Sequence, residues 1–129
     1  MDQKLSHHLQ FGRDTEKNAL DWFLKKGSYR LVTHNYRCKM GEIDLILEET
    51  LPGSPSPELV FVEVRARSPE SWTDGPTSIR PPKQRRLERA IRQFLSQYRG
   101  KAQTVRVDLL YWNTKEWGHI KNLRWQFDR

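Results

Sequence analysis

Two alternating stretches stand out in the pattern of apolar and polar positions. In Gly41-Glu42-Ile43-Asp44-Leu45-Ile46-Leu47, period two places Ile43, Leu45 and Leu47 on one face and Glu42 and Asp44 on the other. In Phe61-Val62-Glu63-Val64-Arg65-Ala66-Arg67 and the residue before it, Val60, Val62, Val64 and Ala66 point one way. Phe61, Glu63 and Arg65 point the other. The pattern predicts strands over Glu42–Glu48 and Leu59–Arg67, with a further strand before them over Tyr29–Arg37. The stretches from Thr50 to Pro57 and from Ser68 to Ile79 carry Pro, Gly and Ser and read as loops, with Trp72 exposed in the second. A fourth strand, Thr104–Trp112, sets Val105, Val107, Leu109 and Tyr111 against Arg106, Asp108 and Leu110. A turn at Asn113-Thr114-Lys115 leads into Glu116–Ile120, and the tail from Lys121 to Arg129 reads as an edge segment or short helix.

Helical spacing brackets the strands. From Leu5 to Lys26, Leu9, Gly12, Glu16, Ala19, Leu20 and Phe23 form one stripe, and Gly27 supplies a left-handed stop. A second helix begins near Pro82, with Gln84, Leu87, Ile91, Phe94, Leu95 and Tyr98 on its inner stripe, and Gly100 ends it. Arg85, Arg86, Arg89 and Arg92 lie largely elsewhere. Helix, three strands, helix, then one or two strands predicts an α/β domain, with the first three strands as an antiparallel meander.

Composition narrows the class. A chain of 129 residues suits a single domain, here taken as 1–129, and five Trp, four Tyr and five Phe supply a core. The formal charge of +7 favours a polyanionic partner, nucleic acid above all, over a membrane surface. Cys38 is the single cysteine, so neither an intrachain disulfide nor a thiolate cluster can form. Met1 to Gln10 is polar and resembles no signal peptide, and no stretch spans a bilayer; the expected location is cytoplasmic.

Few chemistries survive this inventory. His7, His8, His34 and His119 lack zinc-ligand spacing, Cys38 has no evident partner base, and there is no phosphate-binding glycine loop. The acidic residues remain. If the two strands pair, Asp44, Glu63 and Arg65 lie side by side, two oxygen donors for a hard cation next to a phosphate-contacting guanidinium. Spacing alone is explained more simply by an ordinary cross-strand ion pair between Asp44 and Arg65. Glu16, a carboxylate on an inward stripe, either reaches water at the stripe's margin or points into the same polar pocket. Gln84 could likewise be a boundary residue bonded to a loop.

The motifs Gly12-x-x-x-Glu16-x-x-Ala19, Asn35-x-Arg37, Gly41-Glu42-Ile43-Asp44-Leu45-Ile46, Phe61-Val62-Glu63-Val64-Arg65-x-Arg67, Lys83-Gln84-x-Arg86-Leu87 and Arg106-Val107-Asp108 run through most of the chain. Together they resemble the YraN-like family of bacterial proteins, assigned to the restriction-endonuclease-like, or PD-(D/E)xK nuclease, superfamily. The resemblance implies a restriction-endonuclease-like α/β fold, a central mixed β-sheet flanked by α-helices. It also implies Asp44 and Glu63 as ligands of Mg2+ or Mn2+, Glu16 as an assisting carboxylate, Gln84 as a helix residue facing the site, and Arg65 where the superfamily has lysine. Arginine stays charged, so Arg65 would hold phosphate and stabilise developing charge while the metal activates water.

The function expected on this basis is metal-dependent hydrolysis of DNA phosphodiester bonds, on branched or damaged DNA in repair or recombination. Arg67, Lys83, Arg85, Arg86 and Arg89 would contact the backbone, although a run of basic residues on a helix is commonly just a solvated face. Two alternatives stay open: a nucleic-acid-binding module of the same fold without turnover, and an interaction protein whose acidic site is structural. Many related nucleases dimerise, so a homodimer is compatible with the resemblance.

Overall fold

The computed structural model describes residues 15–66 and 81–123. Within them, helix α1 covers residues 15–24. Strands β1 (Tyr29–Cys38), β2 (Gly41–Glu49) and β3 (Glu58–Ala66) follow, then helix α2 (Pro81–Gln97) and strands β4 (Thr104–Trp112) and β5 (Trp117–Ile120). Among the described residues the expected helices and strands are present, within a few residues at the ends that are described, and the loop expected over 68–79 lies outside them. Arg67, Trp72, the start of the first helix with Leu9 and Gly12, and the tail beyond Leu123 lie outside the described residues.

The strands form one five-stranded sheet in the order β1-β2-β3-β4-β5. The first three strands make the antiparallel meander. After α2, β4 returns parallel to β3, and β5 pairs antiparallel with β4. The sheet is therefore mixed, and its parallel step requires α2 as a crossover. A helix covers each face. On one, Ala19 and Phe23 of α1 pack against Leu45, Leu47, Val60, Val62 and Leu110. On the other, Leu87, Ala90 and Ile91 of α2 pack against Ile43, Ile46, Leu59, Phe61 and Val107. Continuous apolar runs such as Leu45-Ile46-Leu47 are what a strand covered on both faces needs.

Three local expectations change. Ile43 packs with Ile46 on the α2 face and not with Leu45 and Leu47, so strict alternation fails at the start of β2. The β2–β3 pairing starts at Leu45↔Val62, and opposite this stretch Asn35 of β1 takes a left-handed φ of 51°. Asp44 thus lies in the part of β2 outside the paired ladder. On α2, Leu95 is exposed and Ala90 is buried in its place. The helix also stops at Gln97, before Gly100, because Tyr98 turns aside: its hydroxyl donates to buried Glu48 and accepts from the backbone N–H of Ala102. Gly27 ends α1 as expected, at φ 82°.

The two ends of the sheet differ in chemistry. At one end meet the start of β1, the end of β2 and the starts of β3 and β4. There Arg106, nearly fully buried, donates twice to Asp108 (3.0 and 3.1 Å), to Glu58 (2.9 Å), to the Tyr29 hydroxyl (2.8 Å) and to Glu49. Asp108, fully buried, also accepts from the backbone N–H of Asn122 at 2.9 Å and lies 2.7 Å from Nε2 of His119. Burial would raise Asp108, but the bonds to His119, Arg106 and Asn122 hold it below the usual carboxylate range. An ionised carboxylate only accepts, so Nε2 carries the proton. The His119 ring is wedged edge-on against Trp22 and Phe23 of α1, tying this network to the helix. It is a structural lock.

Candidate functional site

At the other end meet the C-terminal ends of β1 and β3, the start of β2 and the first turn of α2. Because β3 and β4 run parallel, α2 must travel back over the sheet, so its first turn hangs over the end of β3. The crevice beyond the carboxyl ends of parallel strands is the usual location for ligands in open α/β sheets.

Asp44 and Glu63 meet here. Asp44 is half-buried, and its Oδ2 accepts a 2.8 Å hydrogen bond from the backbone N–H of Val64. That bond fixes the carboxylate against β3 at the point where the β2 ladder has let go. Glu63 is buried on the face covered by α2, and Lys83 of the first turn forms an ion pair with its Oε1. Burial, together with the negative charges of Glu63 and Glu16, pushes Asp44 up to about 7. The Val64 N–H and Lys83 pull the other way. Burial being the largest cause, the site disfavours an ionised Asp44 with the groups now around it.

The residues nominated from sequence divide as follows. Asp44 and Glu63 come together, and Glu16 of α1 lies near enough for its charge to act on Asp44. Glu16 also lines a cleft of about 290 Å³ with Leu20, His34, Asn35 and Leu45. Arg65 follows Glu63 by two residues on β3 and is half-buried, as is Gln84 on the first turn of α2. Arg85 and Arg89 are exposed on α2. Arg86 lines a second cleft of about 360 Å³, together with Lys83, Leu87, Arg37, Cys38 and Gly41. Gly41 is required for this arrangement. A Cβ there would sit 2.8 Å from the carbonyl oxygen of Arg86, so only glycine lets β2 start against the backbone of α2.

Lys83, expected at a phosphate backbone, forms an ion pair with Glu63 and also lines the second cleft. The signal was the crossover itself: a lysine on the first turn after a parallel strand returns to that strand's end. The bond from Val64 to Asp44 had no sequence signal, because it depends on where the ladder stops.

As a metal centre the donor set is all oxygen. Among the described residues no group of three or more His, Cys, Asp or Glu side chains is drawn together to hold an ion unaided. Two carboxylates fit magnesium or manganese, which keep other positions for water and substrate phosphate. A bound cation would offset the burial and the nearby Glu63 and Glu16 charges that disfavour the ionised form of Asp44.

Comparison with known proteins bears on the same segments. The model of "Uncharacterised protein family UPF0102" matches residues 15–111, from α1 into β4. The chain belongs to this family. A UPF0102 protein of Desulfosudis oleivorans is 41% identical over 91 residues, covering 70% of this chain and 68% of the relative. One from Ralstonia nicotianae is 37% identical over 102 residues, covering 77% and 74%. A UPF0102 protein of Caldicellulosiruptor saccharolyticus is 33% identical over 108 residues, covering 82% and 86%. The UPF0102 match takes in the whole Asp44–Glu63–Lys83 constellation and most of the Arg106 lock. No helix among the described residues is long and apolar enough to cross a membrane.

Proposed function

We propose that this UPF0102 protein is a metal-dependent phosphodiesterase acting on nucleic acid, with DNA the expected polymer, in the manner of restriction-endonuclease-like enzymes. The observation that carries the reading is the pairing of Asp44 and Glu63 at the ligand-binding end of a mixed sheet, with Lys83 on one and the Val64 N–H on the other. Asp44 and Glu63 would hold Mg2+ or Mn2+, which when bound lowers the pKa of a coordinated water and polarises a phosphoryl oxygen. Lys83 limits the charge of the acid pair and presents a cation to an incoming phosphate. Arg65, beyond Glu63 on β3, stays charged at all working pH and suits developing negative charge rather than proton transfer.

One observation favours a second reading, a nucleic-acid-binding module without turnover: Lys83 already neutralises Glu63, which makes a metal less necessary. Incubation with linear, branched and single-stranded DNA in Mg2+ or Mn2+ separates the two. The hydrolytic reading expects metal-dependent cleavage of at least one form. Binding that falls steeply with salt, with no cleavage in either metal, would replace it with the binding module. Repair or recombination of branched DNA is the proposed setting, tested by preference for that form.

A further inference from the structure

The 360 Å³ cleft next to the acid pair has a composition that the acid pair does not explain. Its walls come from the end of β1, the start of β2 and the first two turns of α2, and they present Arg37, Lys83 and Arg86. Among the described lining residues the one acid is Glu42, which sits 3.4 Å from Arg37 at an exposed rim. The floor carries Leu87, and Gly41 closes it against the Arg86 carbonyl. Its volume is at the small end of ligand pockets, suited to one nucleotide-sized group and too small for a duplex. Lys83 is shared: its ammonium is on Glu63 while its side chain lines the cleft, so the cleft opens directly beside the carboxylates.

We infer that the cleft between α2 and the β1–β2 turn seats the phosphate and sugar of a single nucleic-acid strand next to the phosphate at the acid pair, with Arg37 and Arg86 as its binding residues. This divides the basic face of α2. Lys83 and Arg86 stand three residues apart and share one helix edge, the one facing the cleft, whereas Arg85 and Arg89 do not line it. Arg37, on β1, belongs to the site although no helical pattern could include it. A guanidinium pair facing a phosphate gives charge-assisted bonds with fixed direction, which a diffuse basic surface does not. The seat rests on the nucleic-acid reading above but not on hydrolysis.

Cys38 lines the cleft and is the chain's single cysteine, so it reports on occupancy. The probe is a 5′-phosphorylated thymidine dinucleotide in metal-free buffer containing chelator, with alkylation of Cys38 by a small maleimide followed over time. The dinucleotide should slow alkylation several-fold at saturation. Arg37→Ala and Arg86→Ala should each weaken dinucleotide binding by about tenfold, the loss of one charge-assisted contact. Glu42→Gln should tighten it, because it removes the competing acid. Lys101→Ala and Lys115→Ala, exposed and away from the cleft, remove the same charge and should shift binding less than threefold. Calorimetric titration of the same variants gives the ordering independently of thiol reactivity. Absence of dinucleotide binding, or equal weakening by all four cation-to-alanine variants, would overturn the seat. Protection without cleavage in the metal-containing assay would keep the seat and remove hydrolysis. Cleavage without dinucleotide binding would do the reverse.

Discussion

Arg106→Ala is expected to destabilise the protein by about 3–5 kcal/mol, enough to leave much of it unfolded at 37 °C. The guanidinium is nearly fully buried and bonds Asp108, Glu58, Glu49 and Tyr29 at once. Removing it leaves Asp108, fully buried, with a charge and one fewer partner, which costs far more than the lost pair is worth. Urea denaturation checks the value. The double variant Arg106→Met with Asp108→Leu should be less destabilised than the two single changes summed, because each single change strands the other's charge. The same network sets an acid limit. Asp108 has its folded pKa below the unfolded value, so its contribution is fully present above about pH 4 and is lost as pH falls from there through the folded pKa. The melting temperature should therefore drop on acidification below that point.

Asp44→Ala is expected to lower any metal-dependent cleavage by at least about a hundredfold while leaving the fold intact, since losses of that order already follow changes to outer-shell partners of a metal site. Asp44 is half-buried, outside the β2–β3 ladder, and its charged form is disfavoured first by burial and then by Glu63 and Glu16. Its removal takes away a metal donor and the acceptor of the Val64 N–H, but it also removes a buried carboxylate beside Glu63 and Glu16, so thermal stability without metal should change little. A large loss of activity with little change in stability marks a residue placed for a ligand, not for packing. Cleavage that persists in Asp44→Ala would show that the acid pair is not the reacting site.

Most of the fold was legible in the sequence. Leu45, Leu47, Val60 and Val62 on one side and Leu59, Phe61 and Val107 on the other have the period that a two-faced strand dictates. The left-handed stop at Gly27 followed from the same logic. Failures occurred where tertiary contacts override local pattern. Ile43 broke alternation where β2 parts from β3 while staying paired with β1, and Ala90 displaced Leu95 on the inner face of α2. For the site, Asp44 and Glu63 were legible as carboxylates on the polar side of the strand alternation, and Glu16 as a carboxylate on an apolar helical stripe. Lys83 was legible as a basic residue for the phosphate backbone but not as the partner of Glu63, and Arg37 only as part of a motif, since what brings them near the acids is the parallel crossover and the β1–β2 turn. Nor was the Arg106 lock legible as such: Arg106 and Asp108 share a strand face, but Glu49, Glu58 and Tyr29 reach them only through the ladder.

The central claim is that Asp44 and Glu63 together hold one hard cation. Calorimetric titration of Mn2+ into the purified chain, compared with Asp44→Asn and Glu63→Gln, tests it without reference to any substrate. The account predicts one Mn2+ per chain, with binding lost or weakened by about tenfold or more in either variant. Binding unchanged in both variants, or none in the unaltered chain, would contradict it.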